Sequence, residues 1–118
     1  MVTLPELGLA ACAAGDALAL VDPGSGQVLQ RLPGAHGAKI HGLEAIPGSC
    51  RIASCGDDGA VRTWVVAHGQ IQAESVTFAP ESGAQVPPSL RVLLPIPRLE
   101  DGTQKVVVGT STGDVLMI

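Results

Sequence analysis

Tyrosine is missing from this chain of 118 residues, which holds a single phenylalanine, Phe78, and a single tryptophan, Trp64. A core must therefore be assembled from Ala, Val, Leu and Ile, with almost no large aromatic fillers. Charge is scarce as well. Only 15% of residues are Asp, Glu, Lys or Arg, the net charge is -4, and no basic residues cluster. That pattern excludes the usual electrostatic footprint of a nucleic-acid binder. No apolar run approaches the ~20 residues that a bilayer-crossing helix needs. The N-terminus lacks a basic start and carries Glu6, which argues against a secretory signal. Cys12, Cys50 and Cys55 are odd in number and show no framework spacing, so a reducing, cytoplasmic setting is expected.

What is present is punctuation. Fifteen glycines and nine prolines interrupt a sequence that is 46% hydrophobic, too apolar for a disordered chain. Short apolar segments recur between turn signals: "LGLAACA" and "ALALVD" around Gly15-Asp16, "QVLQRL" after "DPGSG", then "KIHGLEAI", "CRIASCG", "AVRTWVV" and "IQAESVTFA". "SLRVLLPIP" follows a polar loop at 81–88, and Pro95 and Pro97 predict an edge or irregular strand there. An all-β fold follows. Asp58-Gly59 is expected to supply the positive φ angles of a tight hairpin. One stretch dissents: "LPELGLAACAAGDALAL" is rich in Ala and Leu and has a helical periodicity. Its match to the downstream hairpin favours strands even so.

Three segments superimpose: "LAACAAGDALALVD", "IASCGDDGAVRTWV" and "VVVGTSTGDVLMI". Val21 corresponds to Trp64, 43 positions on, and Trp64 to Ile118, 54 positions on, the excess lying in the loop around Gln85. A period of ~40–45 residues with four strands per unit is the signature of a propeller blade. The chain divides into a partial blade of three strands at 1–34, a complete blade at 35–80, and a loop with a partial blade at 81–118. The expected fold is an all-β partial propeller of about two and a half blades, which cannot close alone. Bare end faces and strand edges make a single copy prone to aggregate or unfold. Either the chain is a piece of a longer protein, the favoured expectation, or partner chains complete the ring.

The middle unit, His36 in "PGAHGAKIHGL" followed by "RIASCGDDGAVRTW", resembles the WD-repeat family. The resemblance implies a hydrogen-bonded tetrad of His36, Ser54, Asp58 and Trp64. It departs from the family pattern at Ala35-His36 and Trp64-Val65, and the outer units lack a full tetrad, with Cys12 near the Ser54 position and Val108 and Thr112 in place of Ser54 and Asp58. Over residues 35–118, the long gap and the "VVVGTSTGDVLMI" ending are similar to echinoderm microtubule-associated protein-like and related ciliary and centriolar WD-repeat proteins. That likeness implies a protein-interaction scaffold in a microtubule-based assembly, with tubulin or axonemal or centriolar proteins as partners and a location at the cytoskeleton, cilium, axoneme or centriole.

Other chemistries fit less well. His36, His41, Cys50 and Cys55 can be drawn as a zinc set, but their order is reversed relative to a zinc finger, and a strand would hold the cysteines apart. Asp16, Asp57 and Asp58 are explained as turn residues without calcium. "DPGSGQ" lacks the Lys-Ser/Thr ending of a phosphate loop. Ser54, His36 and Asp58 mimic a catalytic trio, yet they are expected to be buried and structural. His68 is expected in an exposed turn, and Arg62, Arg91, Arg98 and Lys105 are candidates for surface contacts. No catalytic residue, cofactor or metal is assigned. The alternative function is the propeller portion of an enzyme whose active site lies outside this chain.

Overall fold

The computed structural model describes residues 2–5, 7–46, 49–78, 89–97 and 99–118. The polar loop anticipated at 81–88, and Arg98, lie outside these. Three antiparallel sheets follow one another along the chain, each a meander of sequential strands. The first contains β1 (Val2–Leu4), β2 (Leu9–Ala14), β3 (Ala17–Asp22) and β4 (Gln27–Leu32). The second contains β5 (Ile40–Ile46), β6 (Arg51–Gly56), β7 (Ala60–Ala67) and β8 (Gln70–Phe78). The third contains β9 (Leu90–Pro95), β10 (Val106–Thr110) and β11 (Val115–Met117). Among the described residues the architecture is all-β and the row of sheets is not closed.

Two expectations about the first unit have different outcomes. The Ala-Leu stretch forms β2 and β3, with Ala11 opposite Leu20 and Ala13 opposite Leu18. Helix preference is worth at most about 0.7 kcal/mol per ordinary residue. Burying a leucine such as Leu18 or Leu20, both fully enclosed, contributes about 1.5–3 kcal/mol. Burial wins. The expected strand count is corrected, however: the first sheet has four strands rather than three, because Val2–Leu4 pairs with β2 through Val2–Ala11, Thr3–Ala10 and Leu4–Leu9. Three residues before Pro5 are too few to show an alternation. Only the burial of Leu4 between the sheets reveals this strand.

The sheets stack face to face through two cores. Leu4, Ala11, Leu18 and Leu20 of the first sheet meet Ile40, Ile52, Trp64, Val66 and Ile71 of the second. On its other face the second sheet presents Ile46, Ala53, Cys55 and Val61 to Leu90, Leu93, Val106 and Val108 of the third. The second sheet is thus covered on both sides, which is why β6 is buried continuously from Ile52 to Gly56 rather than alternating. The inner strands β5 and β9 lie side by side. β9 is at the sheet edge and ends at Pro95, as its prolines require, and its pairing is interrupted at the other end by a bulge at Gly109/Thr110.

Polar ties cross both junctions. The Ile40 N–H donates to the Gly15 carbonyl at 2.8 Å, and the Ile71 N–H donates to the Gln30 side chain at 2.5 Å. The Cys55 thiol donates to the Leu90 carbonyl.

The turn between β6 and β7 corrects a detail. Asp58 does not take a positive φ; Gly59 does, at 71°. The Gly59 N–H closes the turn onto the Gly56 carbonyl at 3.2 Å. Asp58 is thereby left free to fold its carboxylate back onto the Ala60 N–H at 3.2 Å. Gly56 is required for a different reason, because a Cβ there would overlap the Lys39 carbonyl, which accepts the Asp57 N–H at 2.9 Å. Gly56→Ala is expected to cost at least about 1–3 kcal/mol and lower the melting temperature of the chain. Gly37→Ala, where the new methyl would sit 3.9 Å from Asp58 Cβ, should melt close to the parent in the same scan.

Candidate functional site

Four side chains, from two strands of the second sheet, the turn between them and the segment that enters it, converge at its interface with the first. Trp64 projects from β7 into the first core. Ser54 on β6 lies two positions along from Ile52, the cross-strand partner of Trp64, and so shares its face. Asp58 occupies the β6–β7 turn, and His36 lies in the segment that enters β5 from the first sheet. Its backbone is anchored there by its N–H donating to the Asp16 carbonyl at 3.3 Å.

The hydrogen bonds run in one direction. Trp64 Nε1–H, which can only donate, gives its proton to Ser54 Oγ at 2.9 Å. Ser54 Oγ lies 2.6 Å from His36 Nε2. His36 Nδ1 lies 3.0 Å from Asp58 Oδ2 and 3.1 Å from Oδ1. A neutral imidazole protonated on Nδ1 satisfies every atom: the Ser54 hydroxyl donates to Nε2, and Nδ1–H donates to the carboxylate. A doubly protonated ring would force the buried Ser54 hydroxyl to find another acceptor. Asp58 completes its shell with the Gly37 N–H at 3.2 Å and the Ala60 N–H. The Arg62 guanidinium approaches it to 3.9 Å.

Electrostatics agree with that tautomer. Burial lowers the pKa of His36 by more than the hydrogen bond and charge of Asp58 raise it. For Asp58 burial pulls upward, but the hydrogen bonds from His36, Ala60 and Gly37 and the attraction of His36 outweigh it and hold the carboxyl below its ordinary range. Chemically this is a closed structural chain. Ser54 is fully buried and already committed to two partners, so it has no path to act as a nucleophile.

The structure separates the zinc set drawn from the sequence. His36 spends both ring nitrogens inside the first interface, whereas Cys55 faces the second, where burial pushes its thiol up to about 12. Among the described residues no group of three His, Cys, Asp or Glu is arranged to hold a metal. His68 is exposed in the β7–β8 turn with φ 53°.

A second polar cluster was not legible in the sequence. Asp57, one residue before the tetrad carboxylate, accepts from His41 Nε2 at 2.8 Å and from the Ser89 hydroxyl. Ser89 belongs to the approach to the third sheet, and its carbonyl accepts the Ser111 N–H at 2.9 Å, so Asp57 ties the second and third sheets together. The Ser89 hydrogen bond in particular holds the Asp57 carboxyl below its ordinary pKa. His41, with Glu44 of β5 and Arg91 of β9, also lines a cleft of about 290 Å³ at the inner strands. Partners 16 and 32 positions apart leave no local signal; only their juxtaposition shows the cluster.

Successive antiparallel meanders, two of four strands and one of three among the described residues, stacked face to face with a Trp–Ser–His–Asp chain pinning the middle one, have the fold of part of a WD40 β-propeller. Among solved structures, the WD40 β-propeller domain of Doa1 matches with a TM-score of 0.69 over 93% of this chain and 32% of its own, at 24% identity. U3-55K and the WD40 repeats of RRP9 each match at 0.65 over the whole of this chain, at 22% identity, covering 36% and 35% of theirs. The chain spans about a third of the length of these structures. No protein-family model and no curated protein matches it.

Trp64→Phe keeps most of the apolar bulk but removes the indole donor, and is expected to cost about 1–3 kcal/mol of stability by chemical denaturation. A separate outcome concerns pH. Folded His36 refuses a proton that the unfolded chain accepts below the ordinary value of 6.5, so this contribution is full above pH 6.5 and is lost as pH falls. Asp58 adds a further loss of the same sign below 3.8. The melting temperature should therefore decline from pH 7 towards pH 5, and His36→Gln should flatten that decline.

Proposed function

We propose that this chain is a non-catalytic WD-repeat propeller segment that serves as a protein-interaction scaffold in a microtubule-based assembly, ciliary or centriolar. The observation that carries the scaffold reading is the double burial of the middle blade. With cores on both faces and a closed tetrad, its turns are held in place before any partner arrives, which lowers the ordering cost of binding. The polar cleft between β5 and β9, lined by His41, Glu44 and Arg91, is a preformed contact surface of mixed charge. A WD40 fold commonly supports this role, and the tetrad explains the buried Ser, His and Asp without assigning them chemistry.

The microtubule part rests on the likeness of residues 35–118 to echinoderm microtubule-associated protein-like proteins. Sedimentation of the chain with polymerised tubulin tests it. Saturable co-pelleting that weakens in Arg91→Glu is expected, and a chain that stays in the supernatant at every tubulin concentration overturns the microtubule reading.

A further inference from the structure

The inner strands β5 and β9 break their pairing at equivalent places in the repeat. Ile40 faces Gly56 and Gly42 faces Cys55, so His41 is the extra residue of one bulge. Leu90 faces Thr110 and Val92 faces Gly109, so Arg91 is the extra residue of the other. A bulge re-aims the side chain that it inserts, and both inserted side chains line the same cleft of about 290 Å³. Glu44 lines it as well, two residues beyond Gly42 and opposite Ala53. Between these levels the wall is Gly42, where a Cβ would lie 2.7 Å from Cys55 Sγ and 3.4 Å from Leu93 Cδ2. Backbone is all that fits there.

His41 commits its Nε2 to Asp57. Glu44 and Arg91, both exposed, enter no ion pair among the described residues. Asp57 feels the charge of Arg91 but lies beyond ion-pair distance and is already held by His41 and Ser89. Two unpaired charges of opposite sign therefore face one cleft at different depths. At ~3.3 Å per residue the two levels are roughly 7 Å apart, the spacing of residues i and i+2 on one face of an extended peptide. β5 and β9 are also end strands of their sheets, so each leaves one edge of backbone N–H and C=O groups unpaired. Inner strands line the central channel of a propeller whatever its number of blades, so the cleft opens to that channel. Its volume, at the small end of ligand clefts, suits a few side chains.

We infer that the cleft binds an extended segment of a partner protein that carries an acidic and a basic side chain two residues apart. The carboxylate docks on Arg91, whose planar fork of N–H donors matches it. The ammonium or guanidinium group docks on Glu44, which can only accept. The unpaired edges of β5 and β9 are within reach of the segment's main chain. A segment of a single charge sign meets repulsion at one of the two levels. This rests on the scaffold reading and not on the microtubule one.

Nuclear magnetic resonance titration of the 118-residue chain with four acetylated, amidated pentapeptides tests it. Gly-Glu-Gly-Lys-Gly and Gly-Lys-Gly-Glu-Gly are compared with Gly-Lys-Gly-Lys-Gly and Gly-Glu-Gly-Glu-Gly. One of the mixed peptides is expected to bind saturably, to shift the amide signals of Gly42 and Val92, and to bind about tenfold or more tightly than either like-charged one. Arg91→Glu and Glu44→Lys should each weaken it by about tenfold or more, with an unchanged far-ultraviolet spectrum. The double variant, with both charges reversed, should recover binding of the mixed peptide of opposite order. Should a reversal disturb the fold, the neutral Arg91→Gln and Glu44→Gln replace it, with an expected loss of about two- to fivefold each. Mixed peptides that bind no better than like-charged ones, a folded single variant that binds like the parent, or a double variant that recovers nothing each overturn the inference. Peptide binding without tubulin co-pelleting upholds it and removes the microtubule reading; co-pelleting without peptide binding removes this inference alone.

Discussion

A four-stranded meander built from Ala, Val, Leu and Ile is apolar on both faces, and no sheet can cover itself. Every other feature of this molecule depends on that constraint. The middle blade satisfies it twice, with Ile52, Trp64 and Ile71 against the first blade and Ala53, Cys55 and Val61 against the third. Nearly all of β6 is buried as a result, and the polar residues it carries must be paired internally. Ser54 is buried because its strand has no wet face, and the tetrad is the means by which that burial avoids an orphaned hydroxyl, indole and imidazole.

The two interfaces use different polar devices at related positions. Asp58 looks towards the first blade and, through His36, ties the middle blade to the segment entering from it. Asp57, its immediate neighbour, reaches Ser89 at the entrance of the third blade. Two adjacent aspartates in one turn therefore secure both flanks of a single blade. The close approach of Gly56 to the Lys39 carbonyl belongs to the same corner, where the backbone entering the blade runs against the turn that carries both carboxylates. With its turns constrained in this way, the blade holds the loops at this corner in fixed positions.

Legibility of these parts varied with the range of the interactions. Trp64 stood out because it is the lone tryptophan, and the WD-repeat resemblance of the middle unit implied Ser54, Asp58 and His36 as its partners. The structure brings all four within hydrogen-bond distance in the anticipated order. Val2–Leu4 escaped notice since three residues carry no period. The cluster of His41, Asp57 and Ser89 escaped because its members sit in different strands and different blades, joined only when the blades stack.

By itself the sequence determined the rhythm of strands and turns and the all-β class, and its WD-repeat resemblance implied the membership of the tetrad. Those depend on alternation, turn chemistry and fixed offsets, which act over a few residues or one repeat. Tertiary structure alone decided the register in which Ala10 to Ala14 meet Val21 to Ala17 across the ladder of β2 and β3. It also decided which side of each sheet is covered, that Asp57 bridges two blades, and that His41, Glu44 and Arg91 line one cleft. The physical reason is that burial is a property of neighbours: a valine on a strand is core or surface according to the sheet stacked against it, and that sheet lies many residues away.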